Sequence, residues 1–344
     1  MRLPFLVAGL LVGFAGAASG APEGLIAFSG KVRGVPVHMV TASSERYALK
    51  ATAASGKVGA TAELAVIARL RSGVAAVNGC YFDAYSSSPV KPPWHHLILD
   101  GSVEHIGDVG TTLGFGPDGS YRMERLRIRI WGSVSQTRGR PARWWAYRMN
   151  TPPGSSGATV YTNRYTRPTT PAAGSQVVVD HGVVARVSTG PERIPDDGYV
   201  IVFTGGEMQQ WRKFGEGARV EMEISHGSPN EDFWVSATDA IGCGPRLVAG
   251  GRVACDPGAE GFTEAKVVNG AGMRGFVGVK GDGALMLGVV GGTLQAAAAA
   301  VASLGAVDAY CTDGGASRGF WLQGRYVGGK PGRQISNAWV LVPR

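Results

Sequence analysis

Glycine-containing turn pairs constrain the fold of this chain more than any other feature. The 344 residues include 53 glycines, yet 44% of the residues are hydrophobic. Asp-Gly or Asn-Gly pairs separate short apolar runs at Asp100-Gly101, Asp118-Gly119, Asp197-Gly198, Asn269-Gly270 and Asp282-Gly283. These pairs favour tight hairpin turns, because their residues adopt positive φ angles at little cost. Since the apolar content is too high for a disordered chain, the pattern predicts mainly antiparallel strands.

Two segments carry helical patterns instead. Residues 62–71 have apolar residues at helical spacing and end in Arg69 and Arg71, cations that suit the negative pole of a helix. Residues 293–304 are rich in alanine, begin with Thr293 and stop before Gly305, which are typical start and stop signals. We therefore expect an α+β fold with mainly antiparallel or mixed β-sheets and a few helices.

The first 20 residues are typical of a secretory signal peptide. Arg2 precedes an apolar run over 5–15, and small residues follow over 16–21. The run is too short to span a bilayer, so we expect cleavage and a secreted, periplasmic or cell-envelope protein without a transmembrane anchor; an uncleaved anchor is the alternative. We expect residues 21–344 to form a single domain, although the Thr-, Pro-, Gly- and Ser-rich stretch 150–171 leaves two linked domains open.

The charge of the chain indicates the type of partner. Its net charge is +8 and its pI is about 9.5, which suits anionic partners such as phosphorylated sugars or glycans. Nucleic acid is not expected, because no compact basic run is interleaved with aromatic residues. The alternative is that the charge serves only solubility.

The four cysteines predict two disulfides in an oxidising compartment, for which three pairings are possible. Cys243 and Cys255 flank a predicted hairpin over 245–254, so we favour their pairing. Cys80 and Cys311 would then pair by default. Zinc is not expected, because the spacings are wrong and no histidine cluster accompanies them. We expect no cofactor, and any other metal requirement stays open.

Residues 313–318 read Asp-Gly-Gly-Ala-Ser-Arg and follow an apolar run. Glycines at such a turn let backbone N–H groups approach a ligand, and Asp313 and Ser317 supply reactive oxygens. Residues 315–319 also match the Gly-x-Ser-x-Gly pattern of a hydrolase nucleophile elbow. That pattern needs an acid and then a histidine downstream, whereas the last histidine of the chain is His226. The chemistry must therefore use carboxylates, hydroxyls, amides and guanidinium groups.

Three further segments carry polar residues at strand ends. Residues 78–82 combine Asn78 with two aromatic residues that could flank a sugar, although a turn asparagine before core aromatics is an equal alternative. Residues 242–248 place Arg246 beside glycines, where a hairpin-edge role is slightly favoured over anion binding. Arg274 starts an apolar strand and could clamp a phosphate or carboxylate; a surface ion pair is the alternative. Another segment, 333–339, adds an arginine and an asparagine.

These segments, in this order, resemble the phosphodiester glycosidase family. The family carries Asn-Gly-Gly-Tyr-Phe, Gly-Gly-Gly-Pro-Leu-Leu-Val, Arg-Thr-Ala-Ile-Gly and Asp-Gly-Gly-Gly-Ser-Ser, followed by an arginine before Asn-Ala. The corresponding positions here are 78–82, 242–248, 274–278, 313–318, and 333 with 337 and 338. The family includes the animal N-acetylglucosamine-1-phosphodiester α-N-acetylglucosaminidases that uncover phosphorylated mannose. The order and spacing of the motifs carry the resemblance more than any single motif.

The chain departs from the family pattern at four positions. Cys80 and Cys243 replace glycines, Ala316 stands at the third glycine of the last motif, and Arg318 replaces its second serine. Ala316 restricts the backbone, and Arg318 introduces a cation. We therefore expect activity or substrate choice to differ from that of the family.

The resemblance implies an exported hydrolase that cleaves a sugar-1-phosphodiester at the anomeric carbon and releases a sugar and a phosphomonoester. The residues assigned to catalysis are Asp313, Arg274, Asn78 and Ser317. The residues assigned to substrate or phosphate binding are Gly314, Gly315, Ala316, Arg333, Asn337, Arg246, Tyr81 and Glu260. Two alternatives stay open: a non-catalytic binding module for anionic wall or capsule glycans, and a phosphodiesterase that cuts the P–O bond.

Overall fold

The computed structural model describes residues 23–135 and 140–344, so the predicted signal peptide at 1–20 lies outside the described residues. The strands are β1 Leu25–Val32, β2 Val35–Ala42, β3 Tyr47–Ala53, β4 Ala75–Asn78, β5 Leu97–Leu99, β6 Ser102–His105, β7 Thr111–Phe115, β8 Tyr121–Glu124, β9 Arg129–Val134, β10 Ala142–Ala146, β11 Arg148–Met149, β12 Gly157–Thr162, β13 Ser175–Asp180, β14 Val183–Ser188, β15 Gly198–Thr204, β16 Val220–Ser225, β17 Asp239–Cys243, β18 Arg246–Ala249, β19 Arg252–Val253, β20 Arg274–Lys280, β21 Leu285–Val290, β22 Ala306–Gly314, β23 Phe320–Leu322, β24 Arg325–Tyr326 and β25 Asn337–Pro343. The helices are α1 Leu64–Leu70, α2 Glu231–Ser236, α3 Ala265–Val268 and α4 Leu294–Ser303, with 3₁₀ turns at Ala54–Gly56, Gly205–Lys213 and Gly315–Ser317.

The strands form sheets in which neighbouring strands are almost always antiparallel. The largest has the order β1-β2-β21-β20-β22-β18-β19, and the others are β24-β23-β4-β25-β3, β6-β5-β17-β7-β8, β11-β12-β15-β13-β14 and β10-β9-β16. The fold is therefore α+β, as predicted. Among the described residues, no helix is long and apolar enough to cross a membrane.

Three of the five turn pairs and both helix signals lie where the sequence placed them, whereas Asp197-Gly198 and Asn269-Gly270 do not join paired strands. Asp100-Gly101, with φ angles of 52° and 85°, joins β5 to β6. Asp282-Gly283 joins β20 to β21, and α1 and α4 lie inside the predicted ranges 62–71 and 293–304. The Thr293 side chain accepts a hydrogen bond from the N–H of Ala296, which caps α4 as expected.

The segment 150–171 contains a strand of a sheet. Its residues form β12, which pairs with β15 along its whole length and with β11 on its other side. The inward side chains of β12, β13 and β15 share an apolar core with β9 and β10, in which Trp144 and Phe203 are buried. The single domain over 21–344 stays a prediction.

A central core holds three of the sheets together. It combines apolar side chains of the largest sheet with those of the sheets that contain β4 and β17. The Trp339 Nε1 donates a hydrogen bond of 2.6 Å to the Tyr310 hydroxyl, which donates one of 3.1 Å to the carbonyl of Ile241. Because each residue belongs to a different sheet, this buried chain fixes their relative positions.

The ends of four strands meet at one edge of this core. Arg274, at the start of β20, pairs with Gly314 at the end of β22. The N–H of Asp313 donates a 3.0 Å hydrogen bond to the carbonyl of Gly79, just beyond β4. The N–H of Gly79 donates a 2.8 Å bond to the carbonyl of Asn337, at the start of β25. Motifs that are far apart in sequence therefore converge at this edge.

The predicted disulfides are absent, because all four cysteines are free thiols. Cys80 and Cys243 pack in the central core, whereas Cys311 and Cys255 pack in a separate apolar cluster between the largest sheet and α4. Successive side chains of a strand face opposite sides, so Tyr310 enters the central core and Cys311 does not. The predicted pairings, Cys243 with Cys255 and Cys80 with Cys311, are wrong for this packing.

Candidate active site

A cavity of about 370 Å³ opens where the four strand ends meet. Its walls combine the turn after β22, the start of β20, the loop after β4, the segment around α3 and the loop before β25. The lining residues are Tyr81, Phe82, Ala84, Tyr85, Trp94, Glu264, Lys266, Val267, Gly270, Ala271, Gly272, Met273, Arg274, Asp313, Gly314, Gly315, Ala316, Ser317, Arg318 and Arg333.

Asp313 is the carboxylate at the base of this cavity. Burial raises its pKa from the ordinary 3.8 to about 6, although hydrogen bonds from Ser317 and the N–H of Gly314, and the charges of Arg333 and Lys266, lower it. Desolvation disfavours the charged form, and these donors and cations offset only part of that cost. Asp313 is therefore a carboxyl group that titrates close to neutrality, as a general base or acid requires.

Arg274 is the buried cation beside it. Its side chain is 8% exposed, and its Nη2 donates to the carbonyl of Gly270 at 3.0 Å and to that of Gly292 at 3.5 Å. Among the described residues it has no carboxylate within 4.0 Å. Carbonyl oxygens hold the guanidinium without neutralising it, so its charge is available to an anionic ligand.

Asn78 lies beneath the cavity and does not line it. It is 1% exposed. Its Nδ2 donates a 2.7 Å hydrogen bond to the carbonyl of Asp313, and its Oδ1 accepts a 2.9 Å bond from the N–H of Gly319. The side chain therefore holds both ends of the turn that carries Asp313.

Asn337 is buried beside it and has the same type of role. Its Oδ1 accepts from the N–H of Cys80 at 3.0 Å, and its Nδ2 donates to the Cys80 Sγ at 3.2 Å and the Ser336 Oγ at 2.8 Å. These bonds fix the loop after β4, which carries Tyr81. Asn337 can act on a ligand only through that loop.

Arg246 and Glu260 are outside the cavity lining. The Arg246 Nη2 contacts the Asp308 Oδ1 at 2.5 Å, and the N–H of Arg246 donates to the Glu260 Oε1 at 2.6 Å. The other oxygen of Glu260 accepts from the Thr111 hydroxyl at 2.6 Å, and burial raises the pKa of Glu260. These two residues support the start of β18 and do not line the cavity. The fold therefore does not bring them into the cavity, as their predicted role in substrate binding would require.

Tyr81 forms an aromatic wall of the cavity. Its ring stacks on Trp94 with centroids 6.3 Å apart and an angle of 17°, and it contacts Phe262 at 6.0 Å. Burial raises the pKa of the Tyr81 hydroxyl well above 10, so it stays protonated and can donate a hydrogen bond. Tyr81 therefore offers both a ring surface and a donor, as a sugar-binding site requires.

The chain shows similarity to known proteins in this region. Residues 173–342 match the family model described as phosphodiester glycosidase. This part of the chain is similar to phosphodiester glycosidase domains. The matched range includes Arg274, Asp313, Ser317 and Arg333, and the resemblance noted from the motifs is confirmed.

Solved structures share the fold. A hypothetical protein from Synechocystis has a TM-score of 0.79 and 23% identity over 94% of this chain, which spans 62% of that protein's chain. A protein from Burkholderia pseudomallei K96243 that is described as exported has a TM-score of 0.73 and 19% identity over 90% of this chain and 75% of its own.

The zebrafish N-acetylglucosamine-1-phosphodiester α-N-acetylglucosaminidase catalytic domain, described as auto-inhibited by its pro-peptide, has a TM-score of 0.52 and 14% identity over 95% of this chain and 85% of its own. No curated protein matches the chain.

Two departures from the phosphodiester glycosidase motif have structural explanations. The left-handed backbone of the turn falls on Gly315, with φ of 58°, whereas Ala316 has no positive φ. Alanine is therefore compatible with this turn. The Arg318 Nη1 donates to the carbonyl of Gly328 at 2.8 Å, which ties the turn to the loop that carries Arg333. Arg318 thus supports the site by holding a neighbouring loop.

The motifs did not reveal several residues that line the cavity. Tyr85 and Trp94 follow the first motif, and Glu264 and Lys266 precede Arg274 in the segment around α3. In the sequence, these residues are marked only by their position between two motifs. Many surface residues share that position, so it does not identify a site. Among residues 23–135 and 140–344, no group of three or more His, Cys, Asp or Glu could hold a metal ion.

Replacement of Asn78 tests the bracing of the Asp313 turn. Asn78→Ala removes the partners of two buried backbone groups, so we expect the free energy of unfolding to fall by about 2–3 kcal/mol. Chemical denaturation measures this loss. Asn163→Ala is the control, because the exposed Asn163 side chain donates to the carbonyl of Asp196, away from the cavity. A stability of Asn78→Ala equal to that of the parent would contradict the bracing role.

Proposed function

We propose that the chain is an exported hydrolase that cleaves a sugar-1-phosphodiester at the anomeric carbon and releases a sugar and a phosphomonoester. The observation that carries this proposal is the pair formed by Asp313 and Arg274 in one cavity. Asp313 has a pKa raised to about 6, and Arg274 is a buried cation without a carboxylate partner among the described residues. An anion-binding group and a titratable carboxyl are what this hydrolysis needs.

Arg274 and the turn after Asp313 are suited to hold the phosphate. A guanidinium can offer two parallel donors to a phosphate. The N–H of Gly314 already hydrogen-bonds to the Asp313 carboxyl, so the N–H groups of Gly315 and Ala316, both at exposed positions, are the better phosphate donors. Gly315 has no atom within 4 Å of a Cβ position, which leaves room for a ligand against the backbone.

Asp313 then acts at the anomeric carbon, either as the base that activates water or as the nucleophile. In both routes water supplies the new hydroxyl of the sugar, and the phosphate leaves with the electron pair of the C–O bond. A phosphomonoester is a good leaving group near neutral pH, so no strong proton donor is required. Ser317 positions Asp313 through its hydrogen bond, and Tyr81 presents its ring and neutral hydroxyl to the sugar.

The two departures within the last motif, Ala316 and Arg318, do not favour the alternative of a non-catalytic glycan-binding module. Both residues fit the turn without removing Asp313 or Arg274 from the cavity. Export remains part of the proposal, supported by residues 1–20 and by the description of the Burkholderia protein as exported.

Replacement of Asp313 tests the assignment of the catalytic carboxyl. Asp313→Asn keeps the size of the side chain but removes the basic oxygen, so we expect turnover of a methyl diester of N-acetylglucosamine-1-phosphate to fall at least 100-fold, roughly the contribution of acid–base catalysis. Release of the free sugar measures turnover. Asp282→Asn is the matched control, because the exposed Asp282 accepts from the N–H of Ala284 and an amide oxygen can do the same. Full activity of Asp313→Asn would refute the assignment.

The pH dependence of kcat/KM tests the protonation state of Asp313. The pKa of this carboxyl is raised to about 6, and a base or nucleophile must be deprotonated. We therefore expect kcat/KM to be constant above that pH and to fall about tenfold per unit below it. Ser317→Ala removes a hydrogen bond that lowers this pKa, so its midpoint should shift upward. Activity that rises as the pH drops below the pKa would instead make Asp313 an acid.

A further inference from the structure

A cluster at the mouth of the cavity holds two cations against one tyrosine ring. The Lys266 Nζ lies 5.5 Å from the centroid of the Tyr85 ring, and the Arg333 Cζ lies 4.5 Å from it. The Arg333 Nη2 also donates a 2.8 Å hydrogen bond to the Tyr85 hydroxyl. Tyr85 is 79% exposed. The three residues come from the loop after β4, from α3 and from the loop before β25, and together form a cationic clamp at the rim.

Within residues 23–135 and 140–344, the two cations have no ion pair. Neither Lys266 nor Arg333 lies within 4.0 Å of a carboxylate in the described parts of the chain. Glu264 lines the same cavity but bonds to neither of them, and Asp313 is affected by both charges only at longer range. A π-face attracts a cation without neutralising it, so the clamp keeps its positive charge.

The charges around the cavity exceed what one phosphodiester can neutralise. The lining includes four cationic side chains, Lys266, Arg274, Arg318 and Arg333, and two carboxylates, Glu264 and Asp313. The net charge of these six side chains is +2. A bound phosphodiester carries one negative charge and lowers this net charge to +1. Arg274 and the turn N–H groups suffice for that phosphodiester, so the clamp is left for another anion.

We propose that the cationic clamp of Lys266, Tyr85 and Arg333 binds a second phosphate on the leaving-group side of the substrate. This proposal rests on the proposed hydrolase function and specifies its substrate class as sugar-1-phosphodiesters whose alcohol part carries a further phosphate. The stacked rings of Tyr81 and Trp94 provide the apolar surface that a sugar ring needs. The clamp provides charge, which suits the anionic alcohol part and not the neutral sugar.

Two synthetic substrates test the clamp directly. Both are diesters of N-acetylglucosamine-1-phosphate, one with a 2-hydroxyethyl group and one with a 2-phosphoethyl group. We expect kcat/KM for the phosphorylated diester to be about tenfold higher, because two partly exposed cations each contribute modestly. The preference should shrink toward unity in Lys266→Gln and Arg333→Gln, and in the parent at high salt.

Lys330→Gln is the matched control for Lys266→Gln. Lys330 is also exposed and also lies near a tyrosine ring, but it pairs with Glu63 at 3.0 Å and is outside the cavity lining. We expect this variant to keep the full preference. Equal kcat/KM for the phosphorylated and neutral diesters in the parent, or a preference that persists in Lys266→Gln and Arg333→Gln, would overturn the clamp.

A binding measurement separates failure of the clamp from failure of the hydrolase function. Calorimetric titration of the Asp313→Asn protein with both diesters gives their affinities without turnover. Tighter binding of the phosphorylated diester, lost on adding Lys266→Gln, supports the clamp even if the parent releases no sugar, and in that case only the hydrolase function fails. Equal affinities for both diesters contradict the clamp whether or not the parent is active.

Discussion

The buried amide of Asn78 is the contact on which the geometry of the site depends. It joins the end of β4 to the carbonyl of Asp313 and to the N–H of Gly319, so one side chain sets both ends of the turn that carries Asp313. Because β4 and β22 belong to different sheets, the turn cannot move without loss of buried hydrogen bonds. In the central core, the hydrogen bond from Trp339 to Tyr310 fixes the relative positions of these sheets. The site is rigid because it lies at the ends of their strands.

The fold half-buries the Asp313 carboxyl and offsets the cost of desolvating it only in part. Ser317 and the Gly314 N–H donate to it, and Arg333 and Lys266 act at longer range, yet its pKa remains raised to about 6. Full compensation would produce a structural ion pair with an ordinary or lowered pKa. Arg274, which the carbonyl oxygens of Gly270 and Gly292 hold in place, keeps its charge for a ligand in the same way. Both groups are thus held by the fold without being neutralised.

Short sequence patterns predicted the turns and helices, whereas long-range packing determined the positions of the cysteines and of several cavity residues. Turn pairs such as Asp282-Gly283 and the Thr293 cap depend on neighbouring residues, so the hairpins and helices followed from the sequence. Asp313, Arg274 and Tyr81 could be assigned to one site because their motifs lie at the ends of strands that meet.

The predicted cysteine pairing failed because the two apolar clusters lie on opposite faces of a sheet, which sequence spacing does not reveal. Arg246 pairs with Asp308, and Glu260 accepts from the N–H of Arg246 and from Thr111, away from the cavity. Tyr85 and Lys266 lie in segments without a motif.

The bond that is cleaved defines the proposed reaction, and isotope labelling identifies that bond. Hydrolysis of a sugar-1-phosphodiester in oxygen-18 water adds one labelled oxygen to a product, and mass spectrometry of the two products locates it. Attack at the anomeric carbon, promoted by Asp313 with the phosphate held by Arg274, places the label in the released sugar. Label in the phosphomonoester would show cleavage of the P–O bond and would contradict this account.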